Sequence, residues 1–138
     1  MTKDTVGAVH MSQTGECMAI SSTGGPWLKN EGQAGFVTQF GGTTFCRHGE
    51  AAIVSGDGES LFPYLPALNC LDDAHSLPDV SYGYITLKKK DKIEMTVAHN
   101  SRCFIIAYLA SNMNKPKVVF SFSSKHETFT HEFDLKEI

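Results

Sequence analysis

Three stretches of the chain gather side chains that could do chemistry. Asp72-Asp73-Ala74-His75 sets two carboxylates beside an imidazole, a combination able to exchange protons or hold a metal. The same residues also suit a solvated helix end, with His75 near the negative pole of the dipole. Cys46-Arg47-His48-Gly49-Glu50 puts a thiol beside a cation and an imidazole, the setting in which thiolates are activated. On a strand, however, Cys46 and His48 share one face and Arg47 points away. His126-Glu127-Thr128-Phe129-Thr130-His131 resembles a zinc-binding H-E-x-x-H motif only in composition. Its histidines are five apart in a segment that alternates like a strand, so they face opposite ways. His131, between Phe129 and Phe133, reads as a hydrogen-bonded core or interface residue.

Other chemistry finds less support. Cys17, Cys46, Cys70 and Cys103 form no C-x-x-C pair, so neither a zinc ribbon nor a dithiol redox motif is present. Their even number permits two disulfides, while the apolar neighbours of Cys17 and Cys103 suit buried free thiols. Gly56-Asp57-Gly58-Glu59-Ser60 lacks the further acids of a calcium loop and reads as a hairpin turn. No nucleotide-cradling glycine motif and no G-x-S-x-G elbow occurs. The sequence therefore assigns no catalytic residue, no metal ligand and no cofactor.

Recognition is better served. Trp27 stands in a Gly-Gly-Pro turn, where a large ring is poorly placed for burial. Tyr64 lies in the Pro-containing stretch between residues 60 and 80, and Tyr82 and Tyr84 follow it. His99-Asn100-Ser101-Arg102 adds a polar cluster ahead of an apolar strand. Loop aromatics with polar neighbours suit stacking on a sugar or anchoring a protein contact. Trp27, Tyr64, Tyr82, His99, Asn100 and Arg102 are the expected ligand-binding residues.

The scaffold holding them is legible from composition and periodicity. At 138 residues, 41% hydrophobic and 20% charged, the chain has the size and make-up of one globular domain, residues 1–138. A net charge of -3 gives no reason to expect nucleic acid as a partner. The longest apolar run, Cys103 to Ala110, is far short of the roughly 18–20 residues of a membrane span. Glycines crowd the first 58 residues, and charge is uneven, with residues 1–83 summing to -6 and residues 84–138 to +3.

Strand signals recur throughout. Val6 to Met11, Cys17 to Ser21, Gly35 to Phe40, Thr43 to Cys46 and Ala51 to Val54 are short candidates between Gly-rich turns. Ile85 and Leu87, then Ile93, Met95 and Val97, flank a lysine-rich turn and predict a hairpin with one wet face. The Cys103–Leu109 run is apolar at both parities, which predicts a strand covered on both faces. Val118, Phe120 and Phe122 alternate with serines, and Phe129 to Leu135 alternates again.

These signals predict an all-β, antiparallel β-sandwich of jelly-roll-like type. A long irregular connection spans residues 58–80, with room for one short helix opening at Pro66. By elimination, the expected function is a non-enzymatic recognition module for a protein or carbohydrate ligand. One alternative is a small metal-dependent hydrolase using Asp72, Asp73 and His75. Another is a self-assembling structural subunit, a homo-oligomer paired through the Phe129–Leu135 strand. No membrane insertion is expected. Paired cysteines would place the chain outside the cell or on its surface, and free ones in the cytoplasm.

Overall fold

Period-two alternation, punctuated by glycine turns, becomes a set of antiparallel strands. The structure is a computed structural model that describes residues 5–72, 76–122, 125 and 127–133. Strands β1 (Thr5–Met11) and β2 (Cys17–Thr23) form a hairpin whose tight turn needs the positive φ of Gly15. Five strands, β3 (Thr44–Arg47), β4 (Glu50–Gly56), β5 (Tyr82–Lys89), β6 (Ile93–His99) and β9 (Glu127–Phe133), form one antiparallel sheet in the order β3-β4-β5-β6-β9. A second hairpin joins β7 (Cys103–Tyr108) to β8 (Lys117–Phe122). The β4–β5 connection carries two single-turn helices, α1 (Gly58–Leu61) and α2 (Pro66–Asn69), with a 3-10 turn between them. The fold is thus an all-β, sandwich-like arrangement of antiparallel sheets, and the expected helix does open at Pro66.

The five-stranded sheet has two covered faces. On one, Ala51, Leu87, Ile93, Met95 and Val97 pack with Ile106 and with Val9, Met11, Phe104 and Tyr108 from the two hairpins. On the other, Ala52, Val54 and Tyr82 pack against Leu61, Ala67 and Leu71 of the helical connection. Consecutive residues Ala51 to Val54 are therefore all buried, because β4 lies between two layers.

Three expectations need correcting. β7 is not covered on both faces: Ile106 is buried, whereas Ile105 and Leu109 are mostly exposed. Apolar residues at both parities reflect one face on the core and a second apolar face left open, since burial does not follow from hydrophobicity alone. Gly35 to Phe40 forms no strand but a 3-10 turn over Phe36–Thr38, in which both the amide and the hydroxyl of Thr38 donate to the Gly35 carbonyl. Gly56-Asp57-Gly58 does not close a hairpin but leads β4 directly into α1, where Ser60 donates to the Asp57 carboxylate at 2.7 Å.

The hairpins are held to the sheet by small polar groups. His99 is fully buried at the end of β6. Its Nδ1–H donates to the Ser101 carbonyl at 3.0 Å, so Nε2 accepts from the Ser121 hydroxyl of β8 at 2.7 Å. The Phe104 ring stacks on this imidazole at 5.4 Å and lies against Gly83, where a Cβ would collide with it. At the other hairpin, the Ser21 hydroxyl meets the buried Thr43 hydroxyl at 2.7 Å. Ser121 and Ser21 therefore face inward. Their larger apolar neighbours face out.

Ser121→Ala tests this directly. It removes the side-chain partner of the buried His99 Nε2 and should lower unfolding free energy by about 1–3 kcal/mol. A urea titration would read the loss, and a change within error would mean that the hydrogen bond does not orient β8.

Candidate functional site

The outward face of the two hairpins is the candidate site. Strand alternation sends Val6, Ala8 and His10 of β1, and Met18, Ile20 and Ser22 of β2, away from the sheet. It does the same for Cys103, Ile105 and Ala107 of β7 and for Val118, Phe120 and Phe122 of β8. None of these twelve positions carries Asp, Glu, Lys or Arg. Val6, Met18, Ile20, Ile105, Leu109, Val118, Phe120 and Phe122 are each between 51% and 72% exposed. Together they present on the order of 800 Å² of mostly apolar surface, more than a typical monomer leaves contiguous.

A groove divides this face. β1 pairs with β2 and β7 with β8, and no ladder joins β1 to β7. Thr5 to Gly7 lie beside Phe104 and Ile105, and Val9 to Gln13 lie near Ala107 to Ser111, so the two strands run alongside one another in parallel. Between them opens a cavity of about 460 Å³ floored by Ile53, Ile85, Leu87, Ile93 and Met95.

The sequence-predicted binding residues are dispersed. Trp27 is 86% exposed in the loop after β2, and Tyr64 is exposed in the 3-10 turn following α1. Tyr82 is buried in the second core, where its ring stacks on Tyr84 with centroids 6.1 Å apart. Asn100 holds the start of β5. Its Oδ1 accepts from the Tyr82 amide at 2.7 Å, and its Nδ2 donates to the Val80 carbonyl at 2.6 Å. His99 is occupied by Ser101 and Ser121, and Arg102 is exposed in the β6–β7 turn. Tyr82, His99 and Asn100 thus meet at one strand end, apart from Trp27 and Tyr64. The reading of the sequence did not find the outer apolar face. Its signal was the repeated pairing of a large apolar residue with a serine or alanine along β2 and β8.

A second cavity, about 360 Å³, lies on the opposite face of the large sheet. It is lined by Tyr84, Thr86, Lys88, Glu94 and Thr96 of β5 and β6 and by Cys70 and Asp72 of the connection. Asp73 and His75 lie outside the described residues, as does His126. Among the described residues no group of three His, Cys, Asp or Glu side chains gathers as a metal site. Burial pushes the Cys70 thiol up to about 12 and raises Tyr84, with the neighbouring Cys70 adding to the tyrosine's shift. Burial also raises Cys17 and Tyr82. A thiol held this far toward its neutral form is a poor nucleophile.

All four cysteines are free thiols, with Cys46 and Cys103 exposed. Alkylation at neutral pH should label the exposed Cys46 early and Cys70 last. The raised Cys70 value also has a linkage consequence. The folded state favours the protonated thiol, so the stabilisation is complete below pH 9 and is lost as pH rises toward 12. Over that window the native chain should lose stability more steeply than Cys70→Ala, by up to about 1.4 kcal/mol per pH unit. Equal slopes in denaturant titrations would contradict the burial of this thiol.

No protein-family model matches the chain, and no curated protein matches it.

Proposed function

We propose that the chain is a non-enzymatic protein-recognition module that works by covering the outer face of its two hairpins with another polypeptide surface. One observation carries the reading. Both hairpins point serines at the sheet and place Met18, Ile20, Phe120 and Phe122 in solvent. Fully burying one such side chain contributes roughly 1.5–3 kcal/mol. A face that withholds several of them from the core gains that energy only when something covers it. Extended contiguous apolar surface rimmed by polar residues is the usual mark of a protein contact. The rim here includes Arg102, Asn112 and Lys115. The aromatic pair Phe120 and Phe122 has the character of a binding anchor.

A photo-crosslinking side chain in place of Phe120, with the same group at Lys90 as control, tests the reading in intact cells. Polypeptide adducts at position 120 and few at position 90 are expected. Equal yields at both positions would sink it.

A second reading, recognition of a glycan by the loops, is favoured by Trp27 alone, which stands beside the equally exposed Leu28. Trp27 is the chain's single tryptophan, so its fluorescence reports directly on that loop. On this reading a panel of oligosaccharides contains one that quenches or shifts the emission saturably. Trp27→Ala should abolish that binding while changing stability by less than about 0.5 kcal/mol, as expected of an exposed position. A flat response across the panel would remove the glycan reading.

A further inference from the structure

The outer face has a shape and charge that select its occupant. We infer that the polypeptide covering it is a second copy of this chain, packed face to face about a two-fold axis running along the groove between β1 and β7. The inference rests on the protein-recognition reading above and names the partner.

The eight exposed apolar side chains present on the order of 800 Å², the share that each partner supplies to a standard stable interface. One copy therefore saturates another without needing any further surface.

An isologous interface sets each residue against residues of the same patch, so every charge on it meets its own kind. Like charges brought together this way cost several kcal/mol. The twelve outward positions hold no Asp, Glu, Lys or Arg, although the chain as a whole carries fifteen acids and twelve bases. A face free of formal charge tolerates its own image.

The groove also divides the face into unlike halves. β8 carries the aromatic side chains Phe120 and Phe122, and β2, on the far side of the groove, carries the flexible aliphatic Met18 and Ile20. An axis parallel to the strands along the groove sets β8 of one copy against β2 of the other. That axis keeps each residue's level along the strands, so Val118 meets Ile20 while Phe120 and Phe122 cover the Ser22–Thr23 end of β2, and symmetry makes each contact twice. Nearer the axis, β1 brings Val6, Ala8 and His10 and β7 brings Cys103, Ile105 and Ala107 into the same contact.

Cys103 supplies a built-in probe. It lies on this face and is exposed, whereas Cys46 is exposed on β3 of the other sheet. Sedimentation velocity and light scattering on the purified chain should show a species of twice the 15.1 kDa chain mass. Interfaces of this size bind at micromolar strength or tighter, so the dimer should dominate by about 100 µM. Where nine-tenths of the chains are dimeric, Cys103 alkylation should slow about tenfold and Cys46 alkylation should not, because only the free fraction reacts. Phe120→Ser should restore both the monomer mass and the Cys103 rate, with far-UV circular dichroism confirming the fold. Ile20→Ser, on the other hairpin, should do the same independently.

A dimer in which Cys103 still reacts freely, or that both substitutions leave intact, would overturn the inference by placing the contact elsewhere. A monomer at about 100 µM would overturn it too. If position 120 still crosslinks to a different polypeptide, the recognition reading survives and only the second copy is lost. A monomer that instead co-sediments with phosphatidylcholine vesicles would overturn both.

Discussion

The hydrogen bond between His99 and Ser121 decides which way a hairpin faces. A strand has two faces, and a shift of one residue exchanges them completely. In β8 the choice lies between sending Ser121 or its phenylalanine neighbours toward the sheet. His99 is fully buried, and its Nδ1–H is committed to the Ser101 carbonyl, so Nε2 requires a donor. Only the serine face supplies one. Leaving that nitrogen dry would cost about 1–3 kcal/mol, and the Phe104 ring stacked on the imidazole would lose its seat over Gly83 as well. The Ser21–Thr43 pair plays the same part in the first hairpin. Two small polar contacts thus hold a much larger apolar surface outward.

That arrangement explains which parts of the fold can be read from sequence. Alternation along Ile93, Met95 and Val97 locates β6, and Pro66 opens α2, because both signals are local. The direction in which a strand faces is not local. Ser121 is placed by a histidine 22 residues earlier, and nothing in the Val118–Phe122 pattern contains that information. β4 and β7 show the same limit from opposite sides. Ala51 to Val54 is short and partly small, yet layers on both sides bury it. Cys103 to Leu109 is the most apolar run in the chain, yet it ends in a layer with one open face. Hydrophobic content alone cannot distinguish surface reserved for the core from surface reserved for a partner.

The candidate binding residues divide along a similar line. Polar side chains at strand ends satisfy backbone groups as readily as they bind ligands. Asn100 spends its amide on Val80 and Tyr82, and those bonds hold the start of β5 against the β6–β7 turn. Trp27 and Leu28 are exposed, as the Gly-Gly-Pro turn implies, since three residues of that kind leave few neighbours to pack on. Sequence reasoning therefore located exposed aromatics where turn residues force exposure. It missed exposed apolar residues inside regular strands, where exposure depends on the opposite layer.

The groove gives the outer face a second physical role. β1 and β7 leave edges without a ladder between them, over an apolar floor, and such edges are a standing risk of indiscriminate strand pairing. Each hairpin is anchored to the large sheet by side-chain packing and by its serine contact, and neither is tied to the other through backbone bonds. A surface that spans both hairpins closes the groove, shields both edges and couples two otherwise independent units. The free energy gained by covering Met18, Ile20, Phe120 and Phe122 then also stabilises the outer layer as a whole, because a ligand that binds only the ordered state raises its stability. On the proposed reading, recognition and the integrity of the sandwich are one equilibrium, set by the serine-inward register that His99 enforces.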